Sequence, residues 1–334
     1  MKKIINTPER YVEDMLEGIY KAHGEMVKPI GENLRCYHTV NKRPGKVAIV
    51  TGGGSGHLPL FLGYVGQGML DGCAVGSVFQ SPSAEDMYEV TKAVDGGAGV
   101  MYLFGNYSGD IMNFEIACEL AEVDDIKTCI VLGNDDVASA PKGKENIRRG
   151  VAGIFFLYKC AGAKADEMAS LEEVKSLTEK VGSRVRTMGF ALSPCIIPEV
   201  GRPNFTVRED QVSVGMGIHG EPGVRVVQML TAKEIAQEAI DTILQDMPFA
   251  PDEQAAVLIN GLGSTPLDEL YILYNEVEKI LQKKNINIFK VWVGEFATSM
   301  EMAGASISLL RTDDEIKALL SKPAYTPFYC NPNM

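Results

Sequence analysis

The sequence predicts an α/β protein of two domains, each built on a mixed or largely parallel sheet flanked by helices. Three observations predict it. The chain has 334 residues, enough for two domains at roughly 150 residues each. Short apolar runs of strand length alternate with amphipathic stretches of helix length, the pattern of βα units. Between residues 182 and 204 the composition shifts toward Gly, Pro and Ser. That shift puts the boundary there, with one domain over 1–182 and a second over 183–334.

The elements follow in order. Thr7 caps a first helix and Pro8 suits its opening turn; Val12, Met15, Leu16, Ile19 and Tyr20 then share one face. Residues 47–50 read as a buried strand entering a glycine-rich turn. Residues 99–104 form another, followed by a helix over 110–122, and 128–132 a third, ending at Asp135 and Asp136. Helical patterns cover 151–163 and 171–181. In the second half, 204–207 and 212–214 are strand candidates. Thr231 and Glu234 spell a capping box opening a helix. Residues 255–259 are a buried strand, and 260–266 lead from it into a long amphipathic helix. Residues 286–293 and 306–310 read as further strands.

Composition narrows the function. Net charge is −12, which disfavours direct binding to nucleic acid or anionic membrane. A local basic cluster of Lys142, Lys144, Arg148 and Arg149 is left to meet an acidic partner. The seven cysteines contain no C-x-x-C pair and read as small apolar residues in a reducing, cytoplasmic compartment. None of the four histidines pairs with a cysteine at zinc spacing, so no metal is expected. The N-terminus lacks the apolar core of a signal peptide, and no apolar run reaches membrane-spanning length.

Four segments share one design, a buried strand running into a tight turn of glycines and polar groups. The first is Thr51-Gly52-Gly53-Gly54-Ser55-Gly56-His57. Glycines let backbone N–H groups approach a ligand. A phosphate loop needs Gly-Lys-Ser/Thr, a dinucleotide fingerprint needs glycine at 57, and a nucleophile elbow on Ser55 needs the same glycine. His57 breaks all three, which disfavours a nicotinamide or flavin oxidoreductase. The segment is a glycine loop that delivers a histidine, or a tight turn with an incidental one. In the second, Asp110 follows a strand and precedes a helix. A helix cap is the role the local sequence favours, and a general base toward a hydroxyl is the alternative. The third sets His219 among Gly215, Gly217, Gly220 and Gly223, sterically open to a ligand. The fourth, 260–266, is either an N–H cradle or an ordinary strand–helix turn. His23 and His38 read as structural or solvent-facing, and Trp292 and the methionines as core.

Together the segments GGGSGH at 52–57, GYVGQGML at 63–70, NYSGDIMNFE at 106–115, GIHGEPG at 217–223 and NGLGSTPLDELY at 260–271 resemble the DhaK family, the substrate-binding subunits of dihydroxyacetone (glycerone) kinases. The likeness runs nearly end to end. It implies a phosphotransferase acting on an alcohol group. It implies that His219 adds through a ring nitrogen to the ketone and holds it as a reversible hemiaminal. His57 would hydrogen-bond the captured substrate and assist proton transfer, and Asp110 would take the proton of the terminal hydroxyl. Gly53, Gly54, Ser55 and Gly56 would contact substrate through the backbone, with the site lying between the domains. The resemblance also implies a homodimer and a separate DhaL-type partner that brings phosphate from ATP or a phosphotransferase system. This chain would bind no cofactor itself, having no nucleotide motif and no room for the partner's domain. Two positions depart from the family. Gly105 stands where well-known members carry a substrate-contacting Lys, and Leu58 where they carry Glu. Gly105 opens space for a longer ketose such as erythrulose, or marks a paralogue that senses ketose and controls transcription through a partner. Such a sensor would need His219 but not Asp110.

Overall fold

A computed structural model describes residues 2–221 and 223–332; Pro222 of the predicted histidine loop lies outside them. By contact the chain divides into two compact units. One comprises Met1–Leu132, Phe156–Val181 and Ala318–Met334; the other comprises Gly133–Phe155 and Gly182–Lys317. The expected cut near 182 is one of several crossings. Residues 133–155 belong with the second unit and 318–334 with the first.

The first stretch of chain holds α1 (Tyr11–His23), β1 (Val27–Ile30), β2 (Asn33–Thr39), β3 (Ala48–Ser55), β4 (Gly72–Val78), α2 (Ala84–Val94), β5 (Val100–Gly105), α3 (Ser108–Val123) and β6 (Thr128–Gly133). Then come α4 (Ile154–Asp166), α5 (Leu171–Ser183), β7 (Val185–Ala191), β8 (Gln211–Val214), β9 (Arg225–Gln228), α6 (Ala232–Asp246), β10 (Gln254–Gly261) and α7 (Leu267–Lys283). The chain closes with β11 (Asn287–Gly294), β12 (Gly304–Thr312), α8 (Asp314–Ser321), β13 (Ala324–Tyr325) and β14 (Cys330–Asn331).

The sheet of the first unit runs β1-β2-β4-β3-β5-β6. Its centre is parallel, β3 pairing β4 and β5, while β2 runs antiparallel to β1 and β4. Ile49 and Val50 on β3 and Met101 to Phe104 on β5 are fully buried, as continuous apolar runs covered on both faces should be. The sheet of the second unit runs β11-β10-β12-β7-β8-β9. Only β10 and β11 pair in parallel there. Both sheets are therefore mixed and flanked by helices, as the sequence predicts. The second core is packed from α6 and α7 against β7, β10 and β12, with Ile240, Ile243, Val277, Leu281, Val257, Ile259 and Ile307 fully buried. Among the described residues no helix is long and apolar enough to cross a membrane.

Several local expectations differ. Thr7 makes no side-chain cap; Pro8–Arg10 form a 3₁₀ turn and α1 starts at Tyr11. The capping box at α6 is present, Thr231 accepting from the Glu234 N–H and Glu234 answering at the Thr231 backbone. Residues 204–207 are not a strand. The strand lies earlier, as β7, inside the stretch that composition marks as a linker; Gly189 sits in it because a Cβ there would lie 2.8 Å from the Met216 carbonyl. The basic cluster is not a surface patch. Arg148 is fully buried and grips Asp246 through both oxygens at 2.6 and 2.9 Å. Arg149 is bound to Asp136 at 2.8 Å.

Candidate active site

In the first unit, three parallel strands end on one edge of the sheet, and the candidate residues stand beyond those ends. This is where open parallel sheets bind ligands. β3 does not turn at residue 51. It continues through Gly52, Gly53, Gly54 and Ser55, pairing with Ala74, Val75 and Gly76 before a bulge shifts Ser55 opposite Val78. The glycines here answer to packing. A Cβ on Gly53 would lie 2.2 Å from the Phe61 ring, and one on Gly54 would lie 2.6 Å from the Gln80 backbone nitrogen. Ser55 Oγ donates to the Gly76 carbonyl at 2.7 Å. Gly56 then takes φ +103°, a backbone shape that favours glycine.

That turn delivers His57 into a buried setting, 1% exposed. Its ring stacks on Phe79 at 4.9 Å and meets the edge of Phe61 at 6.1 Å. Both phenylalanines hold positive φ, +57° and +70°, unusual for bulky residues. Strain of this kind persists where surrounding structure fixes it, and here its effect is to clamp one imidazole. The neighbouring recess is lined by Gly54, Ser55, His57, Leu60, Phe61 and Val75. Leu58 continues the turn, its carbonyl joined to Pro59 through a cis peptide.

β5 ends at Gly105, and α3 opens three residues later. The N-cap of α3 is Tyr107, without a side-chain cap bond. Asp110 is therefore not the cap residue that local sequence favours. It sits in the first helical turn, 9% exposed, where the helix dipole favours a carboxylate.

In the second unit, β8 and β9 are antiparallel, and the loop between them carries His219. Gly215 and Gly220 take φ near +79° and +81°. The loop is arranged around one carboxylate. Glu221 Oε1 meets His219 Nδ1 at 2.9 Å, and Glu221 Oε2 accepts the His219 backbone N–H at 2.9 Å. Gly217 has no room for a side chain, because a Cβ would lie 2.2 Å from Glu221 Oε2. Arg149 approaches the same oxygen at 4.0 Å while donating to Asp136 and to the Gly215 carbonyl. Asn204 donates to the His219 carbonyl. Burial works against the Glu221 charge, but the His219 hydrogen bond and charge, with Arg149 beyond, hold its carboxyl down to about 2. With Nδ1–H directed at this carboxylate, a neutral ring carries its lone pair on Nε2.

The sequence reading singled out His219 and missed its orienting group. Glu221 was in view inside the motif, two residues on, but only the loop's fold turns its carboxylate back onto the ring. Arg149 and Asp136 stand far from that motif in sequence. The other two matched segments serve the fold. Gly63, Gly66 and Gly68 pack against residues 323–328, where a Cβ on Gly66 would meet the Tyr325 carbonyl at 2.3 Å. Asn260 is buried, donating to the Ala297 carbonyl and accepting from the N–H groups of Phe296 and Ala297.

Residues 17–328 match the Dak1 domain. The chain is 44% identical over 94% of its length to the dihydroxyacetone-binding subunit DhaK of PTS-dependent dihydroxyacetone kinase 1 from Listeria innocua, covering 95% of that protein. It is 43% identical to a D-erythrulose kinase of Mycolicibacterium smegmatis, of which it spans 56%. Among solved structures, a dihydroxyacetone kinase operon co-activator superposes with a TM-score of 0.88 at 31% identity, covering 93% of this chain and 96% of the other.

Proposed function

The chain belongs to the Dak1 domain family, and from that membership we propose that it is the dihydroxyacetone-binding subunit of a dihydroxyacetone kinase, an alcohol phosphotransferase. The observation that carries the reading is the carboxylate–imidazole pair of Glu221 and His219, with Nδ1 held at 2.9 Å. Nε2 of a ring so oriented is a nucleophile. It adds to the carbonyl carbon of the ketose as the carbon–oxygen π bond opens, the oxygen takes a proton from solvent, and a hemiaminal results. The added carbon leaves positive charge on the ring, and the Glu221 carboxylate opposes it. A substrate this small offers few contacts, so a bond that requires a carbonyl supplies selectivity over glycerol.

His57 hydrogen-bonds the captured substrate, and its aromatic clamp fixes the ring's angle. Asp110 accepts the proton of the terminal hydroxyl as that oxygen bonds to phosphorus and the donor's phosphorus–oxygen bond breaks. The loop at Gly53, Gly54, Ser55 and Gly56 offers backbone groups to the substrate. The phosphate comes from ATP or a phosphotransferase system through a DhaL-type subunit. The chain works as a homodimer in the reducing cytoplasm, a setting that suits its free cysteines.

Gly105 favours a second substrate. It closes β5 without a side chain, at a position where the family resemblance implies a substrate-contacting Lys, and the extra carbon of erythrulose would take the place of that side chain. A sensing role would not need Asp110. Phosphorylation assays with a DhaL-type subunit test the reading. Asp110→Asn should lose at least a hundredfold in kcat while still binding ketose, a loss within the range of roughly 10²–10⁴ typical of general-base removal. Unchanged turnover in Asp110→Asn, or no turnover in the parent chain with either ketose, would overturn it.

A further inference from the structure

The segment 79–83 joins β4 to α2. Its first residue, Phe79, is the face on which the His57 ring stacks at 4.9 Å. Its backbone runs where glycines make room. A Cβ on Gly54 would fall 2.6 Å from the Gln80 nitrogen, and one on Gly76 would clash with the Gln80 carbonyl oxygen. Pro82 fills the corner between β3 and α3, since a Cβ on Gly52 would meet its ring at 3.1 Å and the Phe114 ring at 3.3 Å. The segment therefore packs on both strand ends and beside α3, all within the first unit.

Main-chain bonds hold its start. The Phe79 N–H donates to the Ser55 carbonyl at 3.1 Å, and the Gln80 N–H to the Ser77 carbonyl at 3.0 Å. At its end, Ser83 serves α2 as N-cap, accepting from the Asp86 N–H. Between them one side chain takes hold. Asn113 Nδ2 donates to the Pro82 carbonyl at 2.8 Å and to Ser81 Oγ at 3.3 Å. A carbonyl only accepts, so the amide must turn its NH₂ toward the segment. Asn is a mediocre helix former, because its short polar side chain competes for nearby backbone groups. Inside α3 it reaches off the helix instead. Asp110 and Asn113 stand three residues apart on α3, a spacing that makes them neighbours on the helix surface. Asn113 thus joins the turn that carries Asp110 to the segment that clamps His57.

We infer that Asn113 is a positioning residue: by gripping Ser81 and Pro82 it fixes the His57 clamp relative to Asp110, the two groups of the first unit that act on the substrate. The inference rests on the proposed kinase function. Phe79 holds φ +57°, a shape that a bulky residue keeps only where its surroundings enforce it. A segment released at residues 81–82 relaxes by letting Phe79 leave that shape, and the stacked face then leaves His57. Proton transfer at His57 and Asp110 depends on their placement, and a misplacement of about 1 Å can cost on the order of a hundredfold in rate. Capture belongs to His219, so the loss falls on turnover rather than on ketose affinity.

Asn113→Leu and Asn113→Ala remove the grip, and both put better helix formers into α3, which favours a folded variant. Two readouts are taken on each. In phosphorylation assays with a DhaL-type subunit, kcat should fall by about tenfold or more. KM for the ketose should stay within about threefold, so that kcat and kcat/KM fall together, as when a contact matters only in the transition state. In proton NMR of the chain alone, the His57 ring signals, assigned by their absence from His57→Gln, carry the ring current of Phe79. In both variants they should move toward those of an unstacked imidazole. Folded variants that keep the parent's kcat, or that keep the parent's His57 signals, overturn the inference. So does a lower melting temperature as the only change, which would make the grip merely structural. If the parent phosphorylates neither dihydroxyacetone nor erythrulose while the variants' His57 signals move, the kinase function fails and the grip on the His57 clamp stands.

Discussion

Glu221 holds His219 by two bonds, one to ring Nδ1 and one to the backbone N–H, so its charge and its shape are separable by substitution. Glu221→Gln keeps an acceptor of similar size and removes the charge. A charge-assisted hydrogen bond contributes roughly 1.5–3 kcal/mol, so ketose capture by this variant should weaken by about ten- to a hundredfold, as measured by NMR titration. Capture unaffected by the change would show that the carboxylate only shapes the loop. The carboxyl's fall from 4.5 to about 2 also links the loop to folding. A depressed acid stabilises the fold above its unfolded value and loses that contribution as pH falls through its folded one. Urea melts of the parent should therefore lose stability from about pH 4.5 toward 2, and Glu221→Gln should show a shallower decline. The histidines were readable in sequence because glycines surround them. The carboxylate relay was not, since Asp136 and Arg149 reach the loop only through the fold.

At the scale of elements, the glycine segment shows how a local signal is read correctly as chemistry and wrongly as shape. Three successive glycines suggest a turn, yet Gly52, Gly53 and Gly54 are strand residues of β3. Gly53 and Gly54 are glycine because Phe61 and the backbone of residues 79–80 occupy the space a side chain would need. That crowding comes from the turn after β4 and the chain after His57, neither visible in a hexapeptide. Gly54→Ala sets a methyl 2.6 Å from the Gln80 nitrogen and 2.8 Å from the Phe79 Cα, atoms that cannot rotate away. Overpacking of this kind costs about 1–3 kcal/mol, so its melting temperature should fall by several degrees, with weaker ketose binding as the His57 clamp shifts. An unchanged melting curve would mean the bulge yields at no cost. The continuous apolar strands β3, β5 and β10 were plain in sequence because burial on both faces demands them. β7 was not, because Gly182, Ser183, Ser193 and Pro194 around it give the stretch the composition of a linker.

Across the whole chain, what sequence cannot show is which distant residues meet. Arg148, Arg186 and Asp246 form a buried ionic triad, yet Arg148 stands in sequence among lysines and reads as surface. Ninety-eight positions separate it from its carboxylate. Two hydrogen bonds from Arg148 and one from Arg186 hold Asp246 down to about 2 against burial. Breaking one partner of a buried ion pair costs roughly 3–5 kcal/mol, so Asp246→Ala should lower unfolding stability by that order in denaturant titrations. A loss under about 1 kcal/mol would place the triad with exposed pairs. The division into units is hidden for the same reason. Residues 133–155 and 318–334 carry ordinary local patterns, and only their contacts assign them. The central claim, that this chain seizes a ketose by a bond to His219, is open to one direct measurement. Carbon NMR of the folded chain with ketone-labelled dihydroxyacetone, and then erythrulose, should show the carbonyl signal replaced by a protein-bound tetrahedral carbon, absent in folded His219→Ala. If both ketones keep their carbonyl signals beside the folded parent, or if His219→Ala still converts them, covalent capture at His219 is contradicted.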